Sequence, residues 1–334
     1  MKRELVAAIL VSAFCSVSVP AAEPALQAQV KRADGWVAYH VPMIAEAGEP
    51  CCFSWRGGTV STTGCDLDGR NWNFGTNDKH QPTEKSGALA MYLHVAHGNI
   101  DRVRAVAASC PVKAQSEIRW IENAEAAQSV QLLSTWLASI KDAHGEHDNA
   151  LAALAYHDES SATPALAARA EPGHPRDARE QALFWLGQTR GVDGAAIVER
   201  YATTDGDPEL RAEAIFALSE SHAVDAYARI HAIALNDPSE HVRSQAFFWM
   251  AQMEDDRAAR DITAAIDTEQ SEDVREQAVF ALSQLKEGQA EDALIALMRG
   301  NYSRDVKKQA LFWLGESGST RAMQFFDEAL TKKP

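Results

Sequence analysis

Apolar and polar positions recur through the C-terminal half of the chain with one fixed period. Five heptapeptides align without a gap: QALFWLG from Gln181, EAIFALS from Glu213, QAFFWMA from Gln245, QAVFALS from Gln277 and QALFWLG from Gln309. Their alanines, Ala182, Ala214, Ala246, Ala278 and Ala310, are separated by steps of 32 residues. A fainter sixth copy, NALAALA from Asn149, lies one step earlier. A unit repeated at this period buries its apolar face only by stacking on its neighbours, which predicts an α-solenoid.

The first helix of a unit is covered on most sides. With Ala182 at zero and about 100° per residue, Leu186 falls near 40°, Leu183 near 100°, Gly187 near 140°, Phe184 near 200° and Trp185 near 300°. Gln181 and Gln188 occupy the only polar gap, near 250°. The small column Gly187, Ser219, Ala251, Ser283 and Gly315 lets another helix approach closely. A second helix closes each unit, over about 192–201, 223–235, 257–266, 289–298 and 320–330. The last of these is expected to cap the array. Asp207 and Asp237, each followed by proline, read as N-caps with proline at the first helical position.

Two columns carry more than packing information. One alternates large and small: Trp185, Ala217, Trp249, Ala281 and Trp313. Large beside small fills a repeat interface without voids. Alternatively, the three tryptophans, with Gln181, Gln245 and Gln309 beside them, line an exposed protein-binding ridge, a role that suits aromatic anchors. The other column is basic: Arg179, Arg211, Arg243, Arg275 and Lys307, with His147 in the faint first copy. A cation in a helix's first turn opposes the macrodipole and needs an acid. Asp177, Asp207, Asp237, Asp273 and Asp305 are the acids expected to form a ladder of structural charge pairs with it.

The pattern Asp-x-x-x-Arg-x-x-Ala-x-x-x-Leu, followed by a small residue, resembles the HEAT repeat, and more closely its phycobiliprotein-lyase-like subfamily. The resemblance covers residues 145–334. The tract from Arg275 to Leu285, with Lys308 to Gly315, is similar to secreted bacterial HEAT proteins of unassigned function. In that group a Cys-Cys-bearing leader domain precedes the array, as here, and the Ile100-Asp-Arg-Val-Arg104 run with a later Cys110 recurs. The resemblance implies a mostly α fold: a right-handed solenoid of about six HEAT-like units. Two enzymatic relatives of this repeat are bilin lyases and deoxyhypusine hydroxylase. Nothing here marks a bilin site, and the His-Glu dipeptides of the hydroxylase's di-iron centre are missing from this sequence.

Ahead of the array the pattern changes. Residues 1–21 read as a secretory signal: a basic start, a short apolar run and small residues at its end. Residues 22–34 read as a disordered leader, and 35–121 as a small β-rich domain. Within it, 88–97 and 100–107 flank Gly98-Asn99, a hairpin signal. The Gly-, Asn- and Asp-rich stretch 66–84 reads as a long loop, with Trp72 as a second contact point. Residues 122–142 read as a helix joining this domain to the array at 145–334.

Composition narrows the function. A formal charge of -15 argues against nucleic acid or an anionic membrane as partner and leaves basic partners or cations open. No segment after the signal is apolar enough to insert in a membrane. Cys51, Cys52, Cys65 and Cys110 remain after the signal and fit disulfides in an oxidising compartment, with the periplasm expected. Adjacent cysteines rarely bridge each other, so Cys51 and Cys52 are expected to pair one each with Cys65 and Cys110. One bridge plus two free thiols is the alternative. Zinc is disfavoured, because no Cys-x-x-Cys pair is present.

No catalytic motif is found, and no cofactor is expected. His144 and His147, with His157, could share a transition ion if they lie on one helical face. The preferred reading is a solvated inter-helix turn, with His147 merely standing in the arginine column, and no metal site is expected. His94 and His97 are three apart in a predicted strand and so are poor co-ligands. The reading is a non-catalytic extracytoplasmic scaffold or adaptor that holds a protein or peptide. A metal- or ligand-binding enzyme, or a redox-sensing cysteine domain on a helical spacer, are the alternatives.

Overall fold

The computed structural model describes residues 25–331 except 46, 57–58, 63, 70–73, 76–85, 141–144 and 222–224. The expected signal segment, Trp72, His144 and most of the 66–84 stretch lie outside the described residues. The elements begin with α1 (Ala25–Lys31), β1 (Gly35–Pro42), β2 (Cys51–Arg56), β3 (Thr59–Thr62) and β4 (Cys65–Asp66). There follow β5 (Phe74–Gly75), β6 (Ala88–Ala96), β7 (Asn99–Ala107), β8 (Val112–Lys113) and β9 (Arg119–Trp120). Helix α1 corrects the expected disordered leader: Leu26 and Val30 are buried one turn apart, which anchors it.

The main sheet runs β7-β6-β1-β9, antiparallel except for the parallel β1–β9 edge. Its two faces serve different layers. Val37, Tyr39, Leu89, Met91 and Leu93 join the large core shared with the helices, whereas Trp36, Ala38, Ala90, Tyr92 and Val106 join a second core around the cysteines. Strands buried on both faces lose the polar alternation that marks a half-exposed sheet. The β6–β7 turn is His97-Gly98, one residue earlier than the Gly98-Asn99 signal suggests. His97 (φ 55°) and Gly98 (φ 76°) both take the left-handed conformation of a type I′ turn. The expected long loop is not structureless either, since β5 returns to pair with Cys51 and Cys52.

Helix α2 (Ala126–Ser139) links the sheet to six helix pairs. These are α3 (Glu146–Tyr156) with α4 (Ala162–Ala170), α5 (Arg176–Thr189) with α6 (Gly191–Thr204), and α7 (Pro208–Ser219) with α8 (Ala226–Asn236). The remaining pairs are α9 (Glu240–Gln252) with α10 (Ala258–Thr268), α11 (Glu272–Ser283) with α12 (Gln289–Arg299), and α13 (Arg304–Ser317) with α14 (Thr320–Thr331). Their spans follow the sequence period closely.

The sheet is fused to the first pair. Glu146 of α3 accepts from the Val103 amide at 2.9 Å and from Arg104 Nη1 at 2.7 Å. The Ile44 amide donates to Tyr156 O, and the Asp158 amide to Pro42 O, each at 3.0 Å. Between β1, α2 and α3 lies a buried polar chain. Tyr39 Oη and Ser129 Oγ are 2.8 Å apart, Ser129 Oγ and His157 Nε2 are 2.8 Å apart, and His157 Nδ1 lies 2.6 Å from Ala153 O. This assigns the proton to Nδ1, leaving Nε2 to accept from Ser129.

Stacking between units is close. A Cβ added at Gly187 would collide with the Ala217 carbonyl oxygen. Leu183, Ile215, Phe247 and Val279 are buried in one column, each covered by the following repeat, while Leu311 of α13 is 45% exposed. Contrary to expectation, α14 does not cover that face. Ala322 is its sole buried residue among those described.

Candidate interaction surface

The first helices of the pairs turn one ridge outward, and aromatic rings run along it without a break. Tyr156 meets Trp185 (ring centroids 5.7 Å apart), Trp185 meets Phe184 (5.1 Å), and Phe184 stacks on Phe216 (5.8 Å). Phe216 meets Trp249 (4.7 Å), Trp249 meets Phe248 (5.1 Å), and Phe248 stacks on Phe280 (6.1 Å). Phe280 then meets Trp313 (4.9 Å), which meets Phe312 (4.9 Å). The large-small alternation takes on a geometric meaning. Each tryptophan bridges to the preceding repeat, and where Ala217 or Ala281 replaces it, two phenylalanines touch directly.

Trp185, Trp249 and Trp313 are half-buried, as are Gln181, Gln245 and Gln309, so the structure brings the six predicted residues onto one ridge. Gln309 Nε2 donates to Glu276 Oε2 of the preceding repeat at 2.9 Å. The column Phe184, Phe216, Phe248, Phe280 and Phe312 was not singled out from sequence. Its signal was available, since an unvarying phenylalanine stands at the edge of the polar gap in five repeats. Acids border the ridge. Burial, followed by the nearby Glu213, raises the Glu180 carboxyl above its ordinary value.

The basic column forms its ladder inside the stack, with different acids from those expected. Arg179 pairs with Asp205, Arg211 Nε and Nη2 each lie 2.9 Å from Asp237, and Arg243 Nε lies 2.9 Å from Glu269. Of the acids named from sequence, Asp237 serves, and it is not the N-cap of α9, where Ser239 stands instead. Arg275 turns to Glu272 on its own helix. Hydrogen bonds donated to Asp237 and Glu269 raise the pKa values of Arg211 and Arg243.

The histidine candidates are not gathered at one point. His157 is fully buried in the polar chain described above, and burial lowers its pKa to about 4. His147 Nε2 lies 2.8 Å from Arg169 Nη2, which makes the ring an acceptor there. His94 Nδ1 bonds Asp101, and His97 sits in the hairpin turn. The cysteines form two disulfides, Cys51–Cys110 and Cys52–Cys65, one of the two arrangements expected. The bridges are neighbours, with Cys65 Sγ 3.7 Å from Cys110 Sγ. An open cavity of about 520 Å³ lies between α10 and α12, lined by Thr263, Asp267 and Asp292 among others.

Residues 195–283 and 260–334 match the family of HEAT repeats. A search of curated proteins finds no match. Among solved structures, the chain is similar to the Escherichia coli YibA protein, with 21% identity, 59% of this chain and 72% of that chain covered, and a TM-score of 0.37. It is similar to the CpcE–CpcF complex of phycocyanin lyase from Nostoc, with 21% identity, 61% and 81% coverage, and a TM-score of 0.30. Human deoxyhypusine hydroxylase in complex with glycerol gives 15% identity, 56% and 84% coverage, and a TM-score of 0.26. These are likenesses of fold.

Proposed function

We propose that this array of HEAT repeats is a non-catalytic extracytoplasmic adaptor whose aromatic ridge holds a basic protein or peptide. The observation that carries the reading is the unbroken run of partly exposed rings from Phe184 and Trp185 to Phe312 across the first helices, interleaved with glutamines and bordered by acids. Rings give a partner large, rigid contact area at low entropic cost, while the glutamines supply adaptable hydrogen bonds. The charge of -15 selects against acidic partners and draws basic ones. Two disulfides suit an oxidising compartment.

The test is site-specific photocrosslinking in the native extracytoplasmic fraction. A benzophenone amino acid replaces Gln245 on the ridge or, separately, Arg260 on α10. A polypeptide adduct formed at Gln245 and not at Arg260, and lost in the Phe216→Ser variant, is the expected outcome. Adducts at Arg260 alone would move the contact to the second helices, and none at either position would remove the adaptor reading.

A further inference from the structure

Three acids complete the ladder by one rule. Asp205, Asp237 and Glu269 each stand 26 residues after the arginine they pair with. Each also accepts from the backbone amide two residues further on: Asp207 to Asp205 at 2.9 Å, Ser239 to Asp237 at 2.8 Å and Ser271 to Glu269 at 2.9 Å. One period earlier the rule fails at every position. His147 stands for the arginine, Gly173 for the acid, and Pro175, which has no N–H, for the amide donor.

The first repeat has gathered an arginine and two histidines at this place, where glycine stands in the acid's position. Arg169, near the end of α4, donates through Nη2 to His147 Nε2 at 2.8 Å. Its Nε is buried and makes no hydrogen bond. In Arg211 and Arg243 it is this same Nε–Nη2 edge that grips the carboxylate. His174, in the α4–α5 loop, is lowered in pKa by burial and by the positive charge of Arg169. Three of the described acids nearby are turned elsewhere. Glu171 faces Arg200, Asp205 is held by Arg179, and the exposed Asp148 lies 3.9 Å from the far ring nitrogen of His147. Gly173 is exposed, with nothing within 4 Å of where a side chain would begin.

We propose that Arg169, His147 and His174 bind a carboxylate supplied from outside the array, in the place that Asp205, Asp237 and Glu269 fill in later repeats. A planar guanidinium edge matches a carboxylate in two parallel hydrogen bonds, and an anion beside a histidine favours its protonated, donating form. The site is a local reversal of sign on an acidic protein, and it stands independently of the aromatic ridge.

The experiment follows the imidazole resonances of His147 and His174 in the full-length protein near neutral pH, with sodium acetate replacing sodium chloride at fixed ionic strength. The expected result is a saturable shift of both rings with acetate and none with chloride. Arg169→Gln should weaken binding about tenfold or more, and Arg169→Lys, which keeps the charge but not the fork, should also weaken it. Arg176→Gln, on an exposed side chain of α5, should leave it unchanged. Shifts that grow linearly with salt, a preference for phosphate over acetate, or equal binding by folded Arg169→Gln would overturn the proposal.

Discussion

Arg211 and Asp237 meet in a two-pronged ion pair inside the repeat stack, with side chains 9% and 4% exposed. The Arg211 Nη1 reaches back to the Asp205 carbonyl at 2.9 Å, so one guanidinium on α7 ties down the ends of both α6 and α8. Removing one partner strands the other without solvent. Asp237→Ala is therefore expected to cost about 3–5 kcal/mol in urea unfolding, while the double variant Arg211→Met with Asp237→Leu recovers most of that loss.

Gly187 and Gly315 occupy the same column and should respond oppositely. At Gly187 a new Cβ meets the Ala217 backbone, which cannot step aside, so Gly187→Ala should cost about 1–3 kcal/mol. At Gly315 nothing lies within 4 Å, and Gly315→Ala should gain up to about 1 kcal/mol of helix propensity. Thermal melting of the two variants checks both signs.

His157 predicts acid sensitivity. Its pKa is about 4 when folded against an ordinary 6.5, so the native state binds fewer protons than the unfolded chain between those values. The stability due to this group is fully present above pH 6.5 and is lost as pH falls towards 4, by about 3 kcal/mol in all. His157→Gln should flatten the fall in melting temperature across that window relative to wild type. Equal slopes would show that other groups govern it.

The two disulfides close loops of different length, 59 and 13 residues apart. If they act by restricting the unfolded chain, replacing Cys51 and Cys110 with alanine should cost about 1 kcal/mol more than replacing Cys52 and Cys65. Thiol titration of the unreduced, denatured protein should find these four cysteines unreactive, and free thiols among them would favour the redox-sensor alternative.

What could be read from the sequence was whatever recurs or acts locally. The 32-residue step placed the helices. The hairpin was found with its turn one residue off, because Gly98 can fill either central position of a two-residue turn, and local sequence does not say which neighbour shares it. The adjacent cysteines limited the pairing. Tertiary partners were out of reach. Asp205 and Glu269 look like ordinary helix ends until the fold carries them 26 residues back to an arginine. The phenylalanine column looked like packing because its neighbours on the ridge belong to other repeats. Helix α1 is held by a core that its own seven residues do not reveal.

The sheet's grip on α3 sets a direction for the whole array. At that end Arg104, Glu146 and the Tyr39–Ser129–His157 chain moor the first pair, and seven of the 11 residues of α3 are buried. At the other end α14 buries Ala322. In a stack where each unit leans only on its neighbours, loosening starts where the lean is weakest. The array should peel from α14 inward, so that amide protons exchange in order of distance from the sheet, and a protease should shorten the molecule from one side only, leaving the moored end for last.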